Sequence, residues 1–135
     1  MLAVLTCIDP RLDPLAILGL EVGEAAIVRT PGARVTDETL ATLVLARWVL
    51  GVERVLVIAH TDCQVTGRSE DDIRAAIRDA GGPDTSALRF SVARDDGADL
   101  SADVERLRAE VGVPVESYVY DVVTAELNPA DPAGR

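Results

Sequence analysis

Lysine is absent and histidine occurs once, at His60, so arginine carries nearly all of the chain's positive charge. The 13 basic residues are outnumbered by 23 acidic ones, leaving a formal charge of -10 at pH 7. Nucleic acid is excluded as a partner because no basic stripe exists to neutralise phosphates, and an anionic membrane surface repels such a chain. Without lysine, a receiver domain that pairs one with a phosphorylated aspartate is excluded too. No apolar run approaches the roughly 18 residues of a membrane-spanning helix. The apolar start from Met1 to Cys7 lacks the basic residues and the length of a secretion signal. Two cysteines are too few for a secreted disulfide scaffold in a chain of 135 residues, so both thiols are expected to be free in a reducing, cytoplasmic compartment. No Gly-x-Gly-x-x-Gly follows the first apolar run, which removes a dinucleotide-binding turn. Pro10 takes away an amide that a phosphate-cradling cysteine loop needs. What remains, 48% apolar and 27% charged, is ordinary for a soluble protein. Its length suits one domain over residues 1–135, able to bury about two-thirds of its unfolded surface.

Two short motifs, Cys7-x-Asp9-x-Arg11 and His60-x-x-Cys63, hold both thiols, the sole imidazole and a carboxylate beside a guanidinium. Each follows an apolar run, Leu2 to Thr6 or Arg54 to Ala59, that reads as a buried parallel strand. Both motifs therefore emerge at carboxyl ends of strands, where open α/β sheets bind ligands. Zinc takes thiolate and imidazole together, and a catalytic site uses three protein ligands with the fourth place open. Cys7, His60 and Cys63 make three. Two thiolates cancel the charge of the dication, so bound water needs help to lose its proton, and Asp9 is placed to give it. Asp9 either accepts a hydrogen bond from that water or binds the metal and closes the site; a bidentate Arg11 decides, by holding the carboxylate away. Alone, either cysteine reads as a small core hydrophobe and the Asp9–Arg11 pair as a surface ion pair. Their conjunction at strand ends favours a metal site. Asp62 reads as an orienter of His60 or an exposed turn carboxylate, Gln64 as a pocket-lining side chain, and Trp48 as core or interface.

The rest of the chain supplies the scaffold. Asp13-Pro14 opens a short helix that Gly19 stops after Leu18, and Ala25 to Arg29 is a second strand. Thr36 caps a helix reaching about Leu50, with Asp37 and Glu38 in its first turn and Gly51 as its stop. From Leu40 to Leu50 only Thr42 and Arg47 are polar, so this helix needs cover on two sides, from the sheet and from a partner subunit. Ser69 and Asp72 pair as a cap for a helix to Ala80. Leu88 to Val92 reads as a fourth strand, Asp95-Asp96-Gly97 as a turn, and Ser101 to Val111 as a helix with Val104, Leu107 and Val111 on one face. Val115 to Val123 is the last strand, Thr124 to Leu127 its hairpin return, and the tail over residues 128–135 a mobile end. The expected fold is α/β, a mostly parallel sheet of four or five strands with helices on both faces.

Cys7-Ile8-Asp9-Pro10-Arg11, Arg29-Thr30-Pro31-Gly32, Val35-Thr36-Asp37 and His60-Thr61-Asp62-Cys63, in this order and at these distances, resemble the β-class carbonic anhydrases, especially their short bacterial branch. The likeness runs from the first strand to about Asp72 and more faintly to the segment between Tyr118 and Leu127. It implies zinc, as Zn2+, on Cys7, His60 and Cys63, a catalytic Asp9–Arg11 dyad, and a homodimer or homotetramer. The implied activity is the reversible hydration of carbon dioxide, a small neutral substrate, by zinc hydroxide; the enzyme class is a carbonate dehydratase, a zinc lyase. Family members that hydrolyse carbon disulfide or carbonyl sulfide give an alternative. A catalytically silent zinc-binding module, with Asp9 as fourth ligand, gives another. Two departures bear on the substrate more than on the metal. Thr30-Pro31-Gly32-Ala33 stands where the family usually has Asn-Ala-Gly after the arginine, changing the backbone freedom and polarity of a loop bordering the pocket. Gln64 stands where glycine is usual. The sequence also begins almost at the first strand, where the family usually has a helical arm, so either the arm is absent or the start was assigned too late.

Overall fold

The protein is described by a computed structural model covering residues 1–94 and 97–130. Four parallel strands, β1 (Leu2–Cys7), β2 (Ala25–Thr30), β3 (Arg54–His60) and β4 (Val115–Tyr120), are joined by a short antiparallel strand, β5 (Leu127–Pro129), in the order β2-β1-β3-β4-β5. The centre of the sheet lies on β1 and β3, where Ala3, Val4, Leu5, Val55, Val57 and Ile58 are fully buried. Unbroken apolar runs suit these strands because both of their faces are covered. On one face Ala3, Leu5, Val55, Val57 and Val115 pack with Leu43 and Ala46 of α2 (Asp37–Val49) and Leu107 of α4 (Ala98–Val111). Arg29 pairs in register with Thr6 and so projects from the opposite face. Its guanidinium donates to the carbonyl oxygens of Cys7, Asp9 and Leu12, which draws the connection into α1 (Pro14–Leu18) across that face, with Leu12 and Pro14 buried.

The helices begin where local chemistry says they should. Thr36 Oγ1 accepts from the Thr39 amide at 3.1 Å, and Ser69 and Asp72 exchange side-chain bonds at the start of α3 (Glu70–Asp79). These bonds satisfy amides that have no partner in the first turn. α2 buries Thr39, Leu43 and Ala46, whereas Leu45, Trp48, Val49 and Leu50 stay exposed. Trp48 is 74% exposed and is therefore not a core residue of this chain. Among the described residues no helix is long and apolar enough to cross a membrane.

Three expectations need correction. Residues 88–92 form no strand, because their backbone groups are claimed by side chains. The Phe90 amide donates to Glu70 Oε2, the Arg74 guanidinium donates to the Leu88 carbonyl at 2.6 Å, and Arg34 donates to the carbonyl of Val92. β4 ends at Tyr120 instead of Val123, since Asp121 Oδ1 accepts from the amides of Val123 and Thr124 and turns the chain back. Asn128 is not the start of a free tail: it faces Val119 within β5. Asp95 and Asp96 of the expected turn, and residues 131–135 of the expected tail, lie outside the described residues.

Candidate metal centre

β1 ends at Cys7 and β3 ends at His60, and the adjacent pairing of these strands brings both ends to one edge of the sheet. The turn after His60 then carries Cys63 back toward Cys7. The ligand atoms of Cys7, His60 and Cys63 all lie within 4.8 Å of one another, and both cysteines are free thiols. His60 Nδ1 lies 2.7 Å from the carbonyl oxygen of Thr61, which can only accept, so Nδ1 carries the proton and Nε2 presents its lone pair. That Nε2 atom is buried and makes no hydrogen bond to any described residue. A buried nitrogen without a partner is costly in apolar surroundings, and here it sits with two sulfurs. The donor set therefore fits a borderline-soft dication such as zinc, which these three residues could hold.

Asp9 Oδ2 lies 3.8 Å from His60 Nε2, too far for a hydrogen bond. Its carboxylate is instead taken by Arg11: Nε donates to Oδ1 at 3.0 Å, Nη2 to Oδ2 at 2.8 Å, and the backbone amide to Oδ1 at 2.9 Å. With its side chain only 10% exposed, Asp9 depends on these donors. The side-chain bonds from Arg11, against an opposing effect of burial, hold the Asp9 carboxyl well below the usual carboxylate range. The bonds from Asp9, then Asp62, raise Arg11 above its ordinary value.

Several contacts escape the sequence motifs. Asp62 does not orient His60. Its side chain and carbonyl both accept from Arg11, each at 3.0 Å, with the backbone in a left-handed turn at φ 53°. Gly32, in a 3-10 turn at Pro31–Ala33, donates its amide to Cys7 Sγ at 3.3 Å. Arg29 ties down the β1–α1 connection that carries Asp9. Only the Thr-Pro-Gly after Arg29 hinted at a special turn, and nothing local pointed it at Cys7.

Two cavities flank the cluster. One, of about 240 Å³, runs past His60 and Thr61 toward α4 and is walled by the Arg34–Asp103 ion pair. The other, of about 210 Å³, opens beside Cys7, Asp9 and Cys63, with Gln64, Ile8, Pro10 and Val65 around it. Of these two, the second is the one that Asp9 lines.

A carbonic anhydrase family model matches residues 2–87. The chain is 30% identical over 139 residues to β-carbonic anhydrase 1 of Mycobacterium tuberculosis, an alignment covering 97% of this chain and 82% of that protein. This chain belongs to the β-class carbonic anhydrase family. A carbon disulfide hydrolase of Saccharolobus solfataricus is 29% identical over 92% of this chain and 74% of its own length. The crystal structure of a carbonic anhydrase from Streptococcus mutans superposes with a TM-score of 0.82 at 26% identity, covering 96% of this chain and 81% of that one. The mostly parallel five-stranded sheet with its helices is therefore the family fold, and the Cys-His-Cys cluster stands at the strand ends of that fold.

Proposed function

We propose that the protein is a zinc-dependent enzyme that interconverts carbon dioxide and bicarbonate. The observation that carries this reading is the orphaned, buried Nε2 of His60, set between two free thiols and 3.8 Å from the carboxylate of Asp9. Cys7, His60 and Cys63 would hold the zinc ion, which would supply Lewis acidity toward water at the site. The protein's own residues do the rest. Thr61 fixes the tautomer of His60, and the Gly32 amide steadies Cys7. Asp9 accepts a hydrogen bond from water at the site and so aims its lone pair; Arg11 keeps Asp9 charged and in position, and Asp62 braces Arg11. Ile8, Pro10 and Val65 give a small neutral substrate an apolar wall. The exposed apolar side of α2 supports a homodimer or homotetramer. Two free thiols suit the cytoplasm.

Hydrolysis of carbon disulfide or carbonyl sulfide is the second reading, favoured by likeness to the Saccharolobus solfataricus protein along most of the chain. Stopped-flow measurements with carbon dioxide, carbonyl sulfide and carbon disulfide, on protein of known zinc content, between about pH 6 and about pH 9, separate the readings. Rapid hydration of carbon dioxide is expected. Turnover of the sulfur compounds alone selects the second reading, and no turnover of any of them selects a silent zinc module closed by Asp9.

A further inference from the structure

The side chains lining the cavity beside Asp9 offer few hydrogen-bond donors. Asp9 only accepts, and Arg11 occupies both of its oxygens. Pro10 has no amide proton, and the amide of Ile8 is already bonded to the Thr30 carbonyl at 3.1 Å. Cys7 and Cys63 are the proposed metal ligands, and Ile8 and Val65 are apolar. Gln64 is the one lining side chain with an N–H to give. It is exposed, and its carboxamide bonds to no other described residue.

We propose that Gln64 is a specificity-determining residue, whose carboxamide donates to an oxygen of substrate or product and whose length limits the room beside Asp9. The proposal rests on the hydration reading above. When water adds to carbon dioxide, a carbon–oxygen bond forms, one π bond opens onto oxygen, and a proton leaves to solvent, giving bicarbonate. The new negative charge sits on oxygen, next to an apolar wall, where one aimed donor counts most. With carbon disulfide the same electron pair ends on sulfur, a weaker acceptor and a larger atom. It gains less from the amide and meets more of the side chain. Gln64 therefore tilts the site toward carbon dioxide over its sulfur analogues.

Two variants divide the effect into its parts. Gln64→Met keeps the length and removes the donor; Gln64→Ala removes both. Each, with the wild type, is loaded with zinc and assayed for kcat and KM on carbon dioxide and carbon disulfide. Affinity for formate, an unreactive carboxylate, is measured by calorimetry. Gln64→Met should lose about tenfold in kcat/KM for carbon dioxide and about tenfold in formate affinity, the worth of one hydrogen bond to a charged group, with zinc content unchanged. Gln64→Ala should in addition raise kcat/KM for carbon disulfide above the wild-type value. Wild-type formate affinity and carbon dioxide kinetics in Gln64→Met would overturn the donor role. Carbon disulfide turnover in Gln64→Ala no faster than in the wild type would overturn the steric role. A wild type inert toward both substrates would instead remove the hydration reading, and the formate titration would still decide whether Gln64 binds oxygen anions.

Discussion

Replacing Gly32 with alanine tests how the turn after β2 serves Cys7. Gly32 has φ 67° and ψ 17°, a left-handed backbone that costs a residue with a Cβ about 1–2 kcal/mol. Crowding adds nothing: a Cβ there would lie 3.6 Å from Val65 Cγ2, 3.7 Å from Thr66 Oγ1 and 3.9 Å from Ala93 Cβ, all ordinary contacts. The reduced freedom of the unfolded chain offsets roughly 0.4–1 kcal/mol, leaving a net loss near ~1 kcal/mol. For a chain of 135 residues, unfolding with about 2.1 cal/mol/K per residue, this lowers Tm by about 3–4 °C. Should the backbone instead relax to escape the strain, the amide leaves Cys7 Sγ, which it now meets at 3.3 Å. Zinc affinity should then fall about tenfold to a hundredfold, as for other lost supports of metal ligands. Differential scanning fluorimetry and competition with a chromophoric chelator measure the two outcomes. Gly32→Asn should show a smaller effect, because asparagine tolerates the left-handed region better. A Gly32→Ala protein matching the wild type in both Tm and zinc affinity would refute the reasoning, since it would carry neither the strain nor the loss of the bond.

Arg11→Ala should abolish turnover while zinc content by elemental analysis stays at the wild-type level, and Arg11→Lys should not restore it, because a point charge cannot grip both oxygens of Asp9 as a fork does; full activity in either variant removes Arg11 from the mechanism. The lowered pKa of Asp9 gives a pH dependence in the metal-free protein. Its stabilisation is complete above the unfolded value near ~3.9 and is lost as pH falls toward the folded one. The Tm difference between wild type and Asp9→Asn should thus hold steady from about pH 7 to about pH 5, begin to narrow below about pH 4 and vanish only as pH nears the folded value; narrowing already between the two higher values contradicts the assignment. Joint replacement of Leu45 by arginine and Trp48 by glutamate should convert an oligomer into monomer in analytical ultracentrifugation, because both project from the uncovered side of α2. A wild type that is already monomeric at micromolar concentration, or a double variant that still assembles, rules this face out as the interface.

Much of the scaffold is legible from residue order because the forces involved act over a few positions. Thr36 and Ser69 announce helix starts, since a hydroxyl reaching an amide three residues on needs no distant partner. The runs in β1 and β3 announce central parallel strands, since burial on both faces leaves no place for polar alternation. Residues 88–92 mislead for the converse reason. A strand needs a neighbouring ladder, and here Glu70, Arg74 and Arg34 reach the backbone first. Asp62 and Gly32 are equally illegible, because their partners Arg11 and Cys7 stand 51 and 25 residues away.

Ligand chemistry and strand ends were thus open to reading from composition and periodicity alone: two sulfurs, one imidazole, and an acid beside an arginine, all where apolar runs stop. Which atoms meet was decided by packing. β1 lies against β3 in a single register, Thr6 beside Ile58, and a slip of one position would turn either end to the wrong face. Only with that register kept does His60 Nε2 stand unpartnered between two thiols, with Asp9 held beside it and not against it.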